Sequence, residues 1–281
     1  MEGVSVNPQI RPSAQGEEEP LKALWQTVFG DTRAYIDLFF RHCYAPGRAT
    51  VATVGGRIVS AAHVIPAGQL HVPGAAHIPC VYIYALGTLP GFRGMGLARR
   101  VVEAAAARHF SEGYGCCLVR PGEASLFSYY EALDFTPCFP IQAFQWQGDG
   151  TDAGNGKIMS ISSEEYAQLR ATLLPPFAVH TTPELLAFQA ALGSLLRLEA
   201  DGHAGCAVAE RAADGQVRIK ELLLPKPLVC RGAALLAARF KTERLQIRTP
   251  ATGTGRPFAL GRFRPGTPVP DGSGYFAFAF D

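Results

Sequence analysis

The chain has 281 residues, of which 48% are hydrophobic, and a net charge of +2. That length suits two domains of ordinary size, and the apolar fraction is enough to pack their cores. The balance of charge leaves no basic tract of the kind nucleic-acid binders carry, and no stretch reaches the roughly 18 apolar residues of a membrane span. The opening MEGVSVNPQIRPSAQGEEEP has no apolar run of a signal or anchor, so a cytoplasmic protein without nucleic-acid or membrane partners is expected.

Residues 17–44 read as two helices. Pro20 suits a first helical turn, and Leu21, Leu24, Trp25 and Val28 share one face. Gly30 ends that helix, Asp31 is placed to cap the next, and Tyr35, Leu38 and Phe39 repeat at helical spacing. Ala49 to Val54 and Arg57 to Ile65 read as a hairpin around Gly55-Gly56, since a two-residue turn needs positive φ. An apolar strand, Val81 to Leu86, then runs through Gly87-Thr88-Leu89-Pro90 into the turn Arg93-Gly94-Met95-Gly96-Leu97-Ala98 and an alanine-rich helix to Phe110. Cys116 to Arg120 is the next strand, stopped by Pro121-Gly122. A short helix with Leu126, Tyr129, Tyr130 and Leu133 follows, and Phe135 to Phe144 returns as a strand.

Strand, glycine-rich turn and helix start together make an anion site from the main chain. The first N–H groups of a helix have no partner within it, and the helix dipole adds about half a positive charge there. Gly94 and Gly96 keep side chains out of a ligand's approach, and Arg93 and Arg99 add cationic character. The turn lacks the lysine and serine of a Walker loop, and Arg99 stands where a dinucleotide fingerprint needs a small residue. The remaining reading is a phosphate or pyrophosphate cradle held chiefly by amides.

These features resemble the GCN5-related N-acetyltransferase (GNAT) superfamily. Arg93, Gly96 and Ala98 match its acetyl-CoA pyrophosphate motif [QR]xxGx[GA], and Tyr130 to Phe135 match its YxxLGF-type element with Asp134 in place of glycine. Glu123 stands where relatives often have asparagine. The resemblance covers about residues 17–144. It implies acetyl-CoA as cofactor, with Leu86, Gly87, Thr88, Arg93, Gly94, Met95, Gly96, Leu97 and Ala98 as its contacts and a strand splay at Gly87-Thr88-Leu89 beside the pantetheine arm. It also implies direct attack by a primary amine on the thioester, with Tyr130 protonating the departing thiolate and Tyr129 as the alternative. For the base, His63, Glu131, the terminal carboxylate of Asp281 and water stand open. The acceptor would be a small-molecule or peptide amine, and the protein a monomer or homodimer. A rival reading is a non-catalytic acyl-CoA sensor. A tRNA-dependent aminoacyl transferase would want a more basic surface.

The segment from Trp146 to Lys157 reads as a linker. Beyond it the order of elements repeats: helices over Ser162 to Leu174 and Thr182 to Leu192, a hairpin around Asp201-Gly202, a strand Val217 to Leu224, a helix Gly232 to Phe240 and a strand Leu245 to Thr249. The loop before the last helix lacks RxxGx[GA], and Pro225 and Pro227 remove backbone donors. The expected architecture is therefore α/β with mixed sheets: a GNAT domain over residues 1–145, a linker at about 146–157, and a degenerate GNAT-like copy over 158–281. Each copy would be a mostly antiparallel sheet flanked by helices. The tail Tyr275 to Asp281 alternates aromatic and small residues, as a strand buried on one face does. Seven cysteines without CxxC spacing read as buried thiols, seven histidines form no HExxH pair, and no metal site is expected.

Overall fold

The computed structural model describes residues 7–148, 154–212, 214–270 and 274–278. In chain order the first half gives β1 (Gln9–Pro12), α1 (Glu18–Phe29), α2 (Arg33–Cys43), β2 (Ala49–Val54), β3 (Arg57–His71), β4 (Ile78–Thr88), α3 (Leu97–Ser111), β5 (Cys116–Val119), α4 (Leu126–Glu131) and β6 (Thr136–Gln147). The second half gives β7 (Lys157–Ser160), α5 (Ser163–Leu173), β8 (Ala178–Thr181), α6 (Pro183–Leu192), β9 (Ser194–Ala200), β10 (His203–Arg211), β11 (Val217–Leu223), α7 (Val229–Phe240), β12 (Arg244–Pro250) and β13 (Arg256–Phe263). A short 3-10 turn precedes both α3 and α7, at Pro90–Phe92 and Lys226–Leu228. The expected repeat of helix, helix, hairpin, strand, loop, helix, strand is present in the element order, except that β8 stands between α5 and α6 in the second half.

The chain clusters into two compact units, one of Met1–Gly68, Ile78–Thr136 and Leu260–Pro268, the other of Gln69–His77, Pro137–Ala259 and Val269–Asp281. In unit 1 the strands run β1-β2-β3-β4-β5-β13, and in unit 2 they run β6-β12-β11-β10-β9-β7. β4 with β5 and β11 with β12 pair in parallel. Antiparallel partners flank these pairs: β13 lies beside β5 and β6 beside β12. The last strand read in the first half therefore belongs to unit 2. The one that closes unit 1 comes from residues 260–263, which lay unread within the tail. Trp146 and Gln147, expected to open a linker, continue β6, and Lys157 begins β7.

Local chemistry explains the elements. Gly30 ends α1 at φ +73°, and Gly55 and Gly56 form the hairpin turn at +57° and +79°. Thr32, not Asp31, caps α2 by accepting from the Tyr35 N–H, while Asp31 accepts from Trp25 Nε1 at 2.7 Å. Ser162 and Glu165 form a reciprocal capping box on α5. The core of unit 2 joins α7 to one sheet face through Trp146, Leu196, Leu198, Val217, Ile219, Leu222, Leu236, Leu245 and Ile247. Its buried charge is matched: Arg170 donates from Nε and Nη2 to Glu221 at 2.8 and 3.0 Å, and Tyr166 donates to the same carboxylate at 2.6 Å. Tyr275, Phe276, Ala277 and Phe278 are all buried, with a single bridge from Ala178 to Tyr275, so this stretch is not a strand with one wet face.

Candidate active site

The site of unit 1 is built where β4 leaves β5. Their pairing runs from Cys80/Cys116 to Ile83/Val119, yet β4 continues to Thr88. Ala85 takes φ +48°, so the bend falls two residues ahead of the expected Gly87-Thr88-Leu89 kink. The latter residues are held against β3: Leu89 N–H donates to Val59 O at 2.9 Å, and Ser60 Oγ donates to Gly87 O at 2.9 Å. A β-carbon at Gly87 would stand 3.0 Å from side-chain atoms of Val28 and Phe29, which would have to give by a few tenths of an ångström. Ser60 Oγ also shares a 2.8 Å hydrogen bond with Thr88 Oγ1.

Past the 3-10 turn, Gly94 and Gly96 take φ +78° and +70°, and a β-carbon built on either meets nothing within 4 Å. Backbone conformation demands glycine there, and the space in front of the turn stays open. Gly96 is the N-cap of α3 and supplies no side chain to it, and Arg100 N–H makes the bond to Gly96 O at 3.1 Å. The amides of Leu97, Ala98 and Arg99 precede that bond, as the donors of a helix's first turn do. A cavity of about 280 Å³ opens on them, lined by Thr88, Phe92, Arg93, Gly94, Gly96, Leu97, Ala98, Arg99 and Tyr129.

Six of the expected cofactor contacts meet at this cavity: Thr88, Arg93, Gly94, Gly96, Leu97 and Ala98. Met95 turns outward and is 54% exposed, while Leu86 and Gly87 lie on β4 outside the lining. Arg93 Nε donates to Thr88 O at 3.2 Å, which ties the turn back to the strand. Arg99 is paired with Glu103 at 2.9 Å along the exposed helix. Sequence reasoning missed Phe92 as a lining residue. The only available signal was its place one residue before the Arg93 turn.

The two tyrosines of α4 differ in setting. Tyr130 is 8% exposed, with its ring 5.6 Å from Phe135 and 5.2 Å from Tyr129, and burial raises its phenol pKa above the ordinary value. Tyr129 lines the cavity, and its hydroxyl is buried with no hydrogen-bond partner among the described residues. Phe135 N–H closes the turn after α4 onto Tyr130 O at 3.1 Å, and Asp134 takes φ +62°, the left-handed conformation glycine would have supplied.

Of the candidate bases, His63 is enclosed by Trp25, Phe39 and Phe40 at 5.1, 5.2 and 5.4 Å between ring centres. Its Nδ1 has no partner among the described residues, and burial lowers its pKa to about 3, which leaves a poor proton acceptor. Glu131 is exposed and outside the cavity lining. Asp281 lies outside the described residues. Tyr84 and Tyr35 share a 2.8 Å hydrogen bond beside the same aromatic cluster. All seven cysteines are thiols, six of them buried, and burial pushes Cys117 up to about 12. Among the described residues no group of three His, Cys, Asp or Glu is placed to hold a metal ion, and no helix is long and apolar enough to cross a membrane.

A bent parallel strand, a glycine turn at positive φ and a helix start without a side-chain cap make a main-chain anion site of this end of the sheet. Residues 9–138 match the acetyltransferase (GNAT) domain model. No curated protein matches it. Among solved structures, a probable N-acyltransferase from Enterococcus faecalis superposes with a TM-score of 0.72 at 13% identity, covering 92% of this chain and 72% of the other. A GCN5-related N-acetyltransferase from Anabaena variabilis gives 0.71 at 14% identity, covering 92% and 73%. A tandem GNAT protein from the clavulanic acid biosynthesis pathway gives 0.54 at 12%, covering 91% and 98%. At these identities the likeness is one of fold.

Proposed function

We propose that the chain is an acetyl-CoA-dependent N-acetyltransferase that passes the acetyl group directly to a primary amine of a small molecule or peptide. One observation carries the reading: within the GNAT-matched segment, Gly94 and Gly96 at positive φ leave the first amides of α3 facing an open cavity. Those amides and the dipole of α3 would hold a pyrophosphate, with Arg93 and Arg99 adding positive charge. Thr88 and the bend at Ala85 would border the pantetheine arm. When bound, acetyl-CoA supplies an activated thioester carbonyl. A raised pKa keeps Tyr130 protonated at neutral pH, as a donor to a thiolate must be. Seven thiols without disulfides fit a reducing cytoplasm.

The unit 2 turn offers no second cradle of this kind. The N-cap of α7, Leu228, is right-handed at φ −96°, and a β-carbon on Gly232 would strike Leu224 at 2.4 Å. This supports a degenerate copy, so a single acetyl-CoA per chain is expected.

Calorimetric titration with acetyl-CoA tests the proposal. One site per chain is expected, lost in Gly96→Val, whose side chain would enter the space before the amides and whose left-handed backbone would be strained by about 1–2 kcal/mol. Undiminished binding by folded Gly96→Val overturns the cradle. A sensor that binds without turnover is the second reading, favoured by a cavity lining that contains neither carboxylate nor imidazole. Thiol release with a panel of amines separates the two.

A further inference from the structure

Three histidines of unit 2 lie ring on ring. His71 ends β3 and His77 immediately precedes β4, while His180 belongs to β8. All three fall in the parts Gln69–His77 and Pro137–Ala259 of that unit. The His71 ring stands 3.6 Å from that of His77 with 16° between their planes, and 3.5 Å from that of His180 with 12°. Centres that close leave almost no sideways offset, so the rings overlap face to face with His71 in the middle. Aromatic rings prefer an offset or an edge contact to such a sandwich, so ring attraction alone would not select it. β8 is fixed without the stack: Val179 N–H donates to Tyr275 O at 2.9 Å, and Arg170 Nη1 donates to Val179 O at 3.0 Å. The turn from Val72 to His77 is held more lightly. Pro73, Gly74, Ala75, Ala76 and His77 are all exposed, and the Ala75 N–H bond, to Val72 O at 3.1 Å, stays within the turn.

We propose that the stack is a pH-operated latch, which holds the turn 72–77 on β8 while the imidazoles are neutral and lets it go in mild acid. One imidazolium can rest on a neutral ring, because a cation is drawn to a ring face. Two neighbouring imidazolium rings 3.5 Å apart repel, and His71 neighbours both of the others. The stack therefore has room for fewer protons than three separate histidines. Each proton taken up only on release favours release about tenfold for every pH unit below the ordinary 6.5. The surroundings act in the same direction. Desolvation lowers His180 to about 4, with His71, Arg170 and His77 as further charges against its proton, and desolvation and then His77 lower His71. Arg170, on α5, keeps its charge through its bonds to Glu221. Among the described residues no carboxylate acts on either ring, so a second positive charge in the stack meets no compensation. His180 alone, at about 4 when stacked and at the ordinary value when free, makes release about thirtyfold more favourable at pH 5 than at pH 7.5. The freed turn would uncover the face of His180 on which His71 now lies.

The test follows the histidine ring Hε1 signals of the full chain by NMR from pH 7.5 to pH 5, with EDTA present so that no metal ion bridges the rings. At pH 7.5 the signals of His71, His77 and His180 should be displaced by the ring currents of their neighbours. Below 6.5 they should return to ordinary positions in one shared step, steeper than a single-proton curve, while circular dichroism stays unchanged. His71→Phe puts an unchargeable ring between the outer two and should abolish the shared step. Should that variant unfold, His77→Phe at an exposed position removes one of the like charges and should move the step down by about half a pH unit or more. Independent single-proton curves with the ring-current displacements retained would overturn the latch, as would a step that neither variant moves. A step that coincides with loss of circular dichroism is unfolding of the whole chain and overturns it too. The latch does not rest on the acetyl-CoA reading, so failure here does not touch the cradle.

Discussion

His63 shows how far burial alone can decide what a residue does. Its imidazole sits among Trp25, Phe39 and Phe40 with its pKa lowered to about 3 by desolvation. Between that value and the ordinary 6.5, the unfolded chain binds a proton that the folded chain does not. Stability therefore rises with pH across this window and is lost on acidification from 6.5 downward. The slope is about 1.4 kcal/mol for each pH unit, with no contribution above 6.5. His63→Phe keeps a ring in the cluster and removes the titration. Urea unfolding at pH 7.5, 6 and 5 should give the variant a shallower fall than the parent chain below 6.5. Equal slopes would mean that the histidine is protonated in the fold. His180, lowered to about 4, and His71 and His109, also lowered, titrate in both chains and cancel in the difference. The sequence placed His63 late in a strand but did not say which face it took, because that depends on helices packed from elsewhere in the chain.

At the scale of elements, the local rules were legible where they are truly local. Gly55-Gly56, Gly30 and the glycine turn into α3 could be read from neighbours a few residues apart. Where two adjacent residues competed, tertiary contacts decided. Thr32 caps α2 because Asp31 is engaged by Trp25, and the bend of β4 falls at Ala85, a residue with no turn chemistry to announce it. The pair on α4 is the same kind of competition. A helix turns about 100° per residue, so Tyr129 and Tyr130 face different surroundings. The cavity receives Tyr129, and the resemblance assigns the proton to Tyr130. If Tyr130 is the acid, Tyr130→Phe should lower turnover by about 10²–10⁴ with little change in acetyl-CoA affinity. Tyr129→Phe should chiefly weaken acetyl-CoA, since its unpartnered hydroxyl lies on the cavity wall. The reverse pattern in steady-state thiol release and calorimetry would transfer the acid role to Tyr129.

At the scale of the molecule, the repeated order of elements was visible in the sequence, but the ownership of strands was not. Nothing in the apolar pattern of residues 256–263 tells which sheet edge they will meet, since any exposed edge offers the same donors and acceptors. In the structure Leu260, Gly261, Arg262 and Phe263 pair with Val119, Leu118, Cys117 and Cys116, and so close unit 1. Arg244 to Pro250 pair with Gln147 to Ile141, so the strand after α4 completes unit 2. A cut in the stretch expected to be a linker therefore separates each unit from one of its own strands. Fragments 1–148 and 149–281 produced alone should each expose a bare strand edge and fail to show a cooperative thermal transition. Produced together they should copurify, with β13 supplied to β5 and β6 to β12. Two fragments that fold separately and elute apart would show that neither pairing is needed, and would place a true domain boundary at the linker read from sequence.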